Sequence, residues 1–96
     1  MNDINNIENT LVKMIDLLRL SGVNNWADAL ESTSQELATR PVQVASKILS
    51  MYGGMGSLND VILYDNGQPL SKENTEFDGL RTSLYDLCQK LTRKSE

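Results

Sequence analysis

Residues 48–70, "ILSMYGGMGSLNDVILYDNGQPL", decide between two architectures. A glycine-rich loop that cradles phosphate follows a strand and opens a helix, and a P-loop adds a lysine and a hydroxyl residue after its last glycine. Here Val44, Ala45, Ile48, Leu49 and Tyr52 recur at helical spacing, so a helix runs into the loop. Pro41 suits the first position of that helix, with Thr39 or Arg40 before it as the cap. No lysine follows Gly56, and Leu58 or Asn59 stands where a dinucleotide fingerprint needs its third glycine. The phosphate reading fails on context. The loop is therefore expected to stop a helix, with Gly53 or Gly54 supplying a positive φ and Ser57 capping the next element. Met55 is expected to fold back as an apolar plug. Three glycines cost conformational entropy, so a close backbone approach, to another helix or to a partner, is the expected reason for them.

Two readings compete for the stretch beyond. Ser57 followed by Asp60 resembles a capping box and would start a short helix over residues 58–64 that ends near Asn66-Gly67. Alternatively, residues 61–64 form a strand that turns at Asp65-Asn66-Gly67, because Asn-Gly is a hairpin signal. The helix is preferred, since an isolated two-stranded hairpin is marginal unless it packs on helices.

Working outward, the other segments are helical. Ile4, Ile7, Leu11, Met14, Ile15 and Leu18 lie on one face of a first helix, capped by Asn2 or Asp3 and stopped at Ser21-Gly22. A second helix starts at Asn24 or Asn25, places Asp28 in its first turn, and points Trp26, Ala29, Leu30, Thr33 and Leu37 inward. Trp26 opens this apolar stripe and reads as a core anchor. The last helix carries the seam Phe77, Leu80, Leu84, Leu87, Cys88 and Leu91, with Thr75 to Asp78 as a capping-box variant at its start. Lys90, Arg93 and Lys94 lie in its final turns, matching the negative dipole end. The expected fold is all-α: one domain over residues 1–96, a compact bundle of four main helices with a short helix or hairpin between the third and the last.

Composition narrows the function. With 96 residues the chain has room for one core, and 40% apolar against 23% charged residues favours folding over disorder. No run approaches the ~18 consecutive apolar residues of a membrane helix. The polar, acidic start MNDINNIENT differs from a secretory leader, so a cytoplasmic address is expected. There is no histidine, which removes the usual general base and the usual zinc ligand. Cys88 is the only cysteine and falls among apolar positions, as a structural thiol does. A small enzyme could use carboxylates, for example Asp60 with Asp65, but that spacing has no distinctive meaning. No catalytic residue, metal or cofactor is expected.

The net charge is −4, which disfavours nucleic acid and favours a basic partner. The acidic pole is residues 60–78, where Asp60, Asp65, Glu73, Glu76 and Asp78 face Lys72 alone. Asp28 and Glu31 add a second acidic face on the second helix. The candidate partner-binding residues are therefore Asp28, Glu31, Asp60, Tyr64, Asp65, Asn66, Glu73 and Glu76.

The segments "LLRLSGVNNWADALE", "ILSMYGGMGSLNDVILYDNGQPL" and "EFDGLRTSLYDLC" together resemble a small bacterial helical family of unknown function. That family is marked by a Trp-centred helix and a GGMGS-Leu/Phe-Asn-Asp signature, which fall here on Trp26, Gly53, Gly54, Met55, Gly56, Ser57, Asn59 and Asp60. Its members occur among immunity proteins of contact-dependent growth inhibition. The resemblance implies an inhibitor, not an enzyme, that blocks a cognate toxin, a nuclease and most naturally an RNase. It implies no small-molecule substrate and no membrane partner, and most of the matched positions read as architecture. The alternative is a helical adaptor or regulatory protein acting through its last helix.

Overall fold

The computed structural model describes residues 2–94. Four helices carry the fold: α1 (Asn2–Leu20), α2 (Asn24–Ser34), α3 (Pro41–Leu49) and α4 (Ser71–Lys94). Between α3 and α4 lie a 3-10 turn (Leu58–Asp60) and a two-stranded hairpin, β1 (Tyr64–Asp65) and β2 (Gln68–Pro69). The fold is the expected all-α bundle.

In α1, Ile7, Leu11, Met14 and Leu18 repeat at helical steps and are fully buried. The helix ends in a Schellman arrangement: the Val23 N–H reaches the Leu18 carbonyl at 2.8 Å and the Gly22 N–H reaches Arg19 at 3.1 Å. This needs a left-handed residue, and Gly22 supplies it at φ 74°. α2 buries Ala27, Leu30 and Thr33, while Trp26 is half-buried against the same core. The Thr33 hydroxyl is satisfied by the Ala29 carbonyl at 2.8 Å. α2 begins at Asn24, the earlier of the two expected starts, and Asp28 falls just past its first turn, not in it as expected.

α3 starts at Pro41 with Arg40 at the cap position, and no side chain caps it. It stops at Leu49, short of the expected run to Gly53, and Met51 and Tyr52 continue only as turns bonded to Ile48 and Leu49. α4 begins at Ser71, four residues before the expected Thr75 start. The Thr75 hydroxyl instead donates to the Ser71 carbonyl at 3.0 Å, within the helix, and Asp78 turns to Arg81. Pro69 and the Asn74–Leu70 main-chain bond at 2.8 Å set the true boundary. With 24 residues α4 spans about 36 Å, most of the 44 Å long axis of the molecule.

α1 packs along both α2 and α4, and α3 packs on α4. Phe77, Leu84 and Cys88 of α4 join Leu58 and Leu63 of the inter-helix segment in one core. Each such aliphatic or aromatic side chain contributes about 1.5–3 kcal/mol on burial. The expected apolar seam of α4 is thus part of the core. Burial pushes the Cys88 thiol up to about 12, as suits a structural cysteine. Among the described residues no helix is long and apolar enough to cross a membrane.

Candidate protein-interaction surface

The segment between α3 and α4 combines both readings of the sequence. The preferred helix over residues 58–64 is reduced to the single 3-10 turn, whose cap is Ser57: its Oγ accepts from the Asn59 N–H at 3.2 Å. The chain is extended from Val61, at φ −69° and ψ 126°, and the hairpin closes at Asn66-Gly67. Both turn residues have positive φ, 53° and 78°, which is the type I′ pattern that Asn-Gly favours. The hairpin persists because it is packed: Leu63 is fully buried, and the Asn74 side chain of α4 holds both main-chain groups of Leu63. Leu63 N–H donates to Asn74 Oδ1 at 2.8 Å, and Asn74 Nδ2 donates to the Leu63 carbonyl at 3.0 Å.

Gly53, Gly54 and Gly56 all adopt left-handed φ, between 74° and 84°. A Cβ on any of them would meet nothing of the chain within 4 Å, so no close approach to another helix requires them and the backbone conformation accounts for them within the fold. Met55 does not plug the core; it is 99% exposed. The left-handed glycines on either side carry the chain out and back, and Met55 sits at the tip. Asp60 closes the loop by accepting from the Gly56 N–H at 2.7 Å, and the Leu58 N–H returns to the Met51 carbonyl at 2.9 Å.

Arg81 anchors this loop. Its Nη1 donates to the carbonyls of Leu58 and Asn59, both at 3.1 Å, while Nη2 pairs with Asp78. The guanidinium lies 5.5 Å from the Phe77 ring centroid, within cation–π range. The Tyr52 hydroxyl donates to the Arg81 carbonyl at 2.6 Å, and its ring meets Tyr85 edge-on at 5.0 Å. Burial raises the Tyr52 pKa, so the phenol remains a donor at neutral pH. These contacts frame an open cleft of about 390 Å³ lined by Leu49, Tyr52, Gly53, Asn59, Arg81, Thr82 and Tyr85. Its principal polar groups are already engaged within the chain, as expected of architecture.

The candidate residues divide into two surfaces. Asp28 and Glu31 are joined by Arg19 at 2.8 and 3.1 Å, so a cation of the chain itself offsets one of the two charges. The hydrogen bond to Asp28 is the main cause that raises the Arg19 pKa. The second surface holds Tyr64, Asp65 and Asn66 on the hairpin and Asp60 at the loop, all exposed. Glu73, in the first turn of α4, is half-buried, and Glu76 is exposed one turn on. Ile62 belongs with this group: it is 52% exposed, Tyr64 47%, and both point away from the buried Leu63 between them. Among the described residues no set of three or more Cys, Asp or Glu is grouped to hold a metal ion.

Arg81, Asn74, Arg19 and Ile62 were not among the sequence-predicted residues. Arg81 was accessible by pattern, since it lies four residues after Phe77 and three before Leu84, on the buried stripe of α4. Ile62 was accessible by alternation about Leu63. The Asn74 and Arg19 contacts cross between elements and leave no local mark.

A family profile described as a domain of unknown function, DUF6966, matches residues 19–71. The chain belongs to the DUF6966 family. The matched stretch runs from Arg19 through α2, α3, the glycine loop and the hairpin to the first residue of α4. It thus takes in Asp28 and Glu31 and, of the second surface, Asp60, Tyr64, Asp65 and Asn66, while Glu73, Glu76, Asn74 and Arg81 lie beyond it. No curated protein and no solved structure matches the chain.

Proposed function

We propose that this DUF6966 protein is an immunity-type inhibitor that acts in the bacterial cytoplasm. It would neutralise a cognate toxin by binding it, without catalysis. The observation that carries this reading is the set of exposed side chains along residues 55–66. Met55, Ile62 and Tyr64 are three of the large hydrophobic side chains left exposed, and they share the segment with Asp60 and Asp65. No Lys or Arg occurs between Lys47 and Lys72, so the segment itself carries no compensating cation. Apolar anchors with a charged rim are the composition of a binding patch, and Tyr and Met are enriched in such patches. A nuclease presents a basic surface to its polyanionic substrate, so an acidic inhibitor gains fast, steered association with it. The bracing by Arg81 and Asn74 fixes the patch before binding, which reduces the ordering cost of the complex.

For the adaptor alternative, Phe77, Leu84 and Cys88 of the α4 seam are buried in the core, while Leu80, Leu87 and Leu91 are partly buried against it. Co-expression with the product of the reading frame immediately upstream tests the proposal. Growth rescue from a toxic product is expected. If that product is harmless, or its toxicity is untouched by this chain, the proposal is wrong.

A further inference from the structure

We infer that the outer edge of β1 binds an extended, basic segment of the partner as an added strand. This deepens the inhibitor reading and rests on it for the identity of the partner. The register pairs Tyr64 with Pro69 and Asp65 with Gln68 around a two-residue turn. In such a hairpin the closing pair is hydrogen-bonded and the next pair is not, so bonding alternates along the strand. Leu63 follows the rule, its carbonyl accepting from the Leu70 N–H at 2.9 Å. The main-chain groups of Tyr64, and of Ile62 in the extended chain just before β1, therefore point to the other side, away from β2 and from Asn74. Among the described residues nothing outside the hairpin bonds to either of them.

Proteins usually protect such an edge with a lysine, a proline or a covering element. β2 carries Pro69, whereas β1 is blunted only by its two-residue length and by Asp65 and has no lysine, proline or covering element. Its edge instead displays Ile62 and Tyr64 on one face, with Asp60 at one end and Asp65 at the other. An extended peptide with alternating basic and apolar residues meets each of these features: its main chain completes the ladder, its apolar side chains pack on Ile62 and Tyr64, and its cations face the carboxylates. A second copy of this chain would bring the same carboxylates against each other, so self-pairing is disfavoured.

The test uses the intact protein and a short blocked peptide of alternating Lys and Val, with amide exchange read by NMR. At a free peptide concentration about ten times its Kd, exchange at the Ile62 and Tyr64 amides should slow about tenfold. A Glu-Val peptide, and a Lys-Val peptide N-methylated along its pairing edge, should give no protection. Ile62→Pro removes one outward donor, and Val61 already has a conformation compatible with a following proline. That variant should lose peptide binding while retaining the helical circular dichroism of the wild type. The inference is overturned if Lys-Val gives no protection at millimolar concentration, or if the methylated or acidic peptide protects equally. Should Ile62→Pro unfold, the methylated peptide decides alone. Failure here with intact growth rescue would remove the strand-addition mode and leave the inhibitor reading standing.

Discussion

Replacing Arg81 with alanine is the most informative perturbation of the fold. The side chain is 15% exposed and satisfies two loop carbonyls at 3.1 Å each, besides pairing with Asp78 and lying near Phe77. A hydrogen bond from a charged group contributes about 1.5–3 kcal/mol, and partial exposure of Asn59 places the pair toward the lower end. The Asp78 contact adds little, because that carboxylate is 63% exposed. The total is about 2–4 kcal/mol, against roughly 5–15 kcal/mol for a whole domain. For a chain of this size that corresponds to a fall in Tm of roughly 10–25 °C. Thermal and urea denaturation measure it, and Arg81→Met separates the lost donors from the lost packing: it should recover a minor part only. Arg81→Lys keeps the charge but not the planar fork, so it should fall between. Hydrogen exchange should localise the loss to residues 57–61. A Tm for Arg81→Ala within about 2 °C of the wild type, where surface substitutions usually fall, would refute the assignment of Arg81 as the anchor.

Three further outcomes follow from the same contacts. Asn74→Ala leaves the Leu63 N–H without its partner, while the Leu63 carbonyl keeps the Leu70 N–H, and should cost about 1–3 kcal/mol, read by urea denaturation, with faster exchange at the Leu63 amide. Gly54→Ala should cost about 1–2 kcal/mol from left-handed strain alone, since its Cβ meets nothing, and Gly54→Asn should cost visibly less. At high pH stability should decline. The Cys88 thiol lies at about 12 in the fold against an ordinary 9.0, so above that ordinary value the unfolded chain ionises first. The contribution is intact below pH 9.0 and is lost progressively towards about 12, at up to about 1.4 kcal/mol per pH unit. The buried Tyr52 phenol acts in the same direction. Urea midpoints between neutral and alkaline pH measure the decline, and Cys88→Ala should make it shallower.

Much of this architecture is legible in the residues themselves, for physical reasons that differ along the chain. The stripes of α1 and α2 are periodic, and Gly22 is a helix stop whose left-handed conformation the sequence announces. The start of α4 misleads because Thr75 and Asp78 form a plausible cap, whereas Ser71 begins the helix and leaves both residues inside it. Residues 58–64 are ambiguous locally: Ser57 caps a turn, Asn66-Gly67 makes a hairpin, and how far each extends depends on Asn74 and Arg81, many residues away. Met55 was misjudged because flexibility and apolar character say nothing about direction, which here the left-handed glycines impose. For the candidate surface, Asp60, Tyr64, Asp65 and Asn66 could be placed by sequence. That Arg19 engages Asp28 and Glu31 could not, since it depends on how α1 and α2 pack.

The affinity of the purified complex with the upstream gene product tests the central claim most directly. Calorimetry should give a tight one-to-one complex with the wild type. Tyr64→Ala combined with Asp65→Lys should weaken it at least about a hundredfold, the scale of losing a hot-spot residue and reversing a neighbouring charge. Asp28→Lys combined with Glu31→Lys should change it far less, because Arg19 already engages those carboxylates within the chain. The account is contradicted if the hairpin variant binds as the wild type does, or if the helix variant is the one that loses affinity.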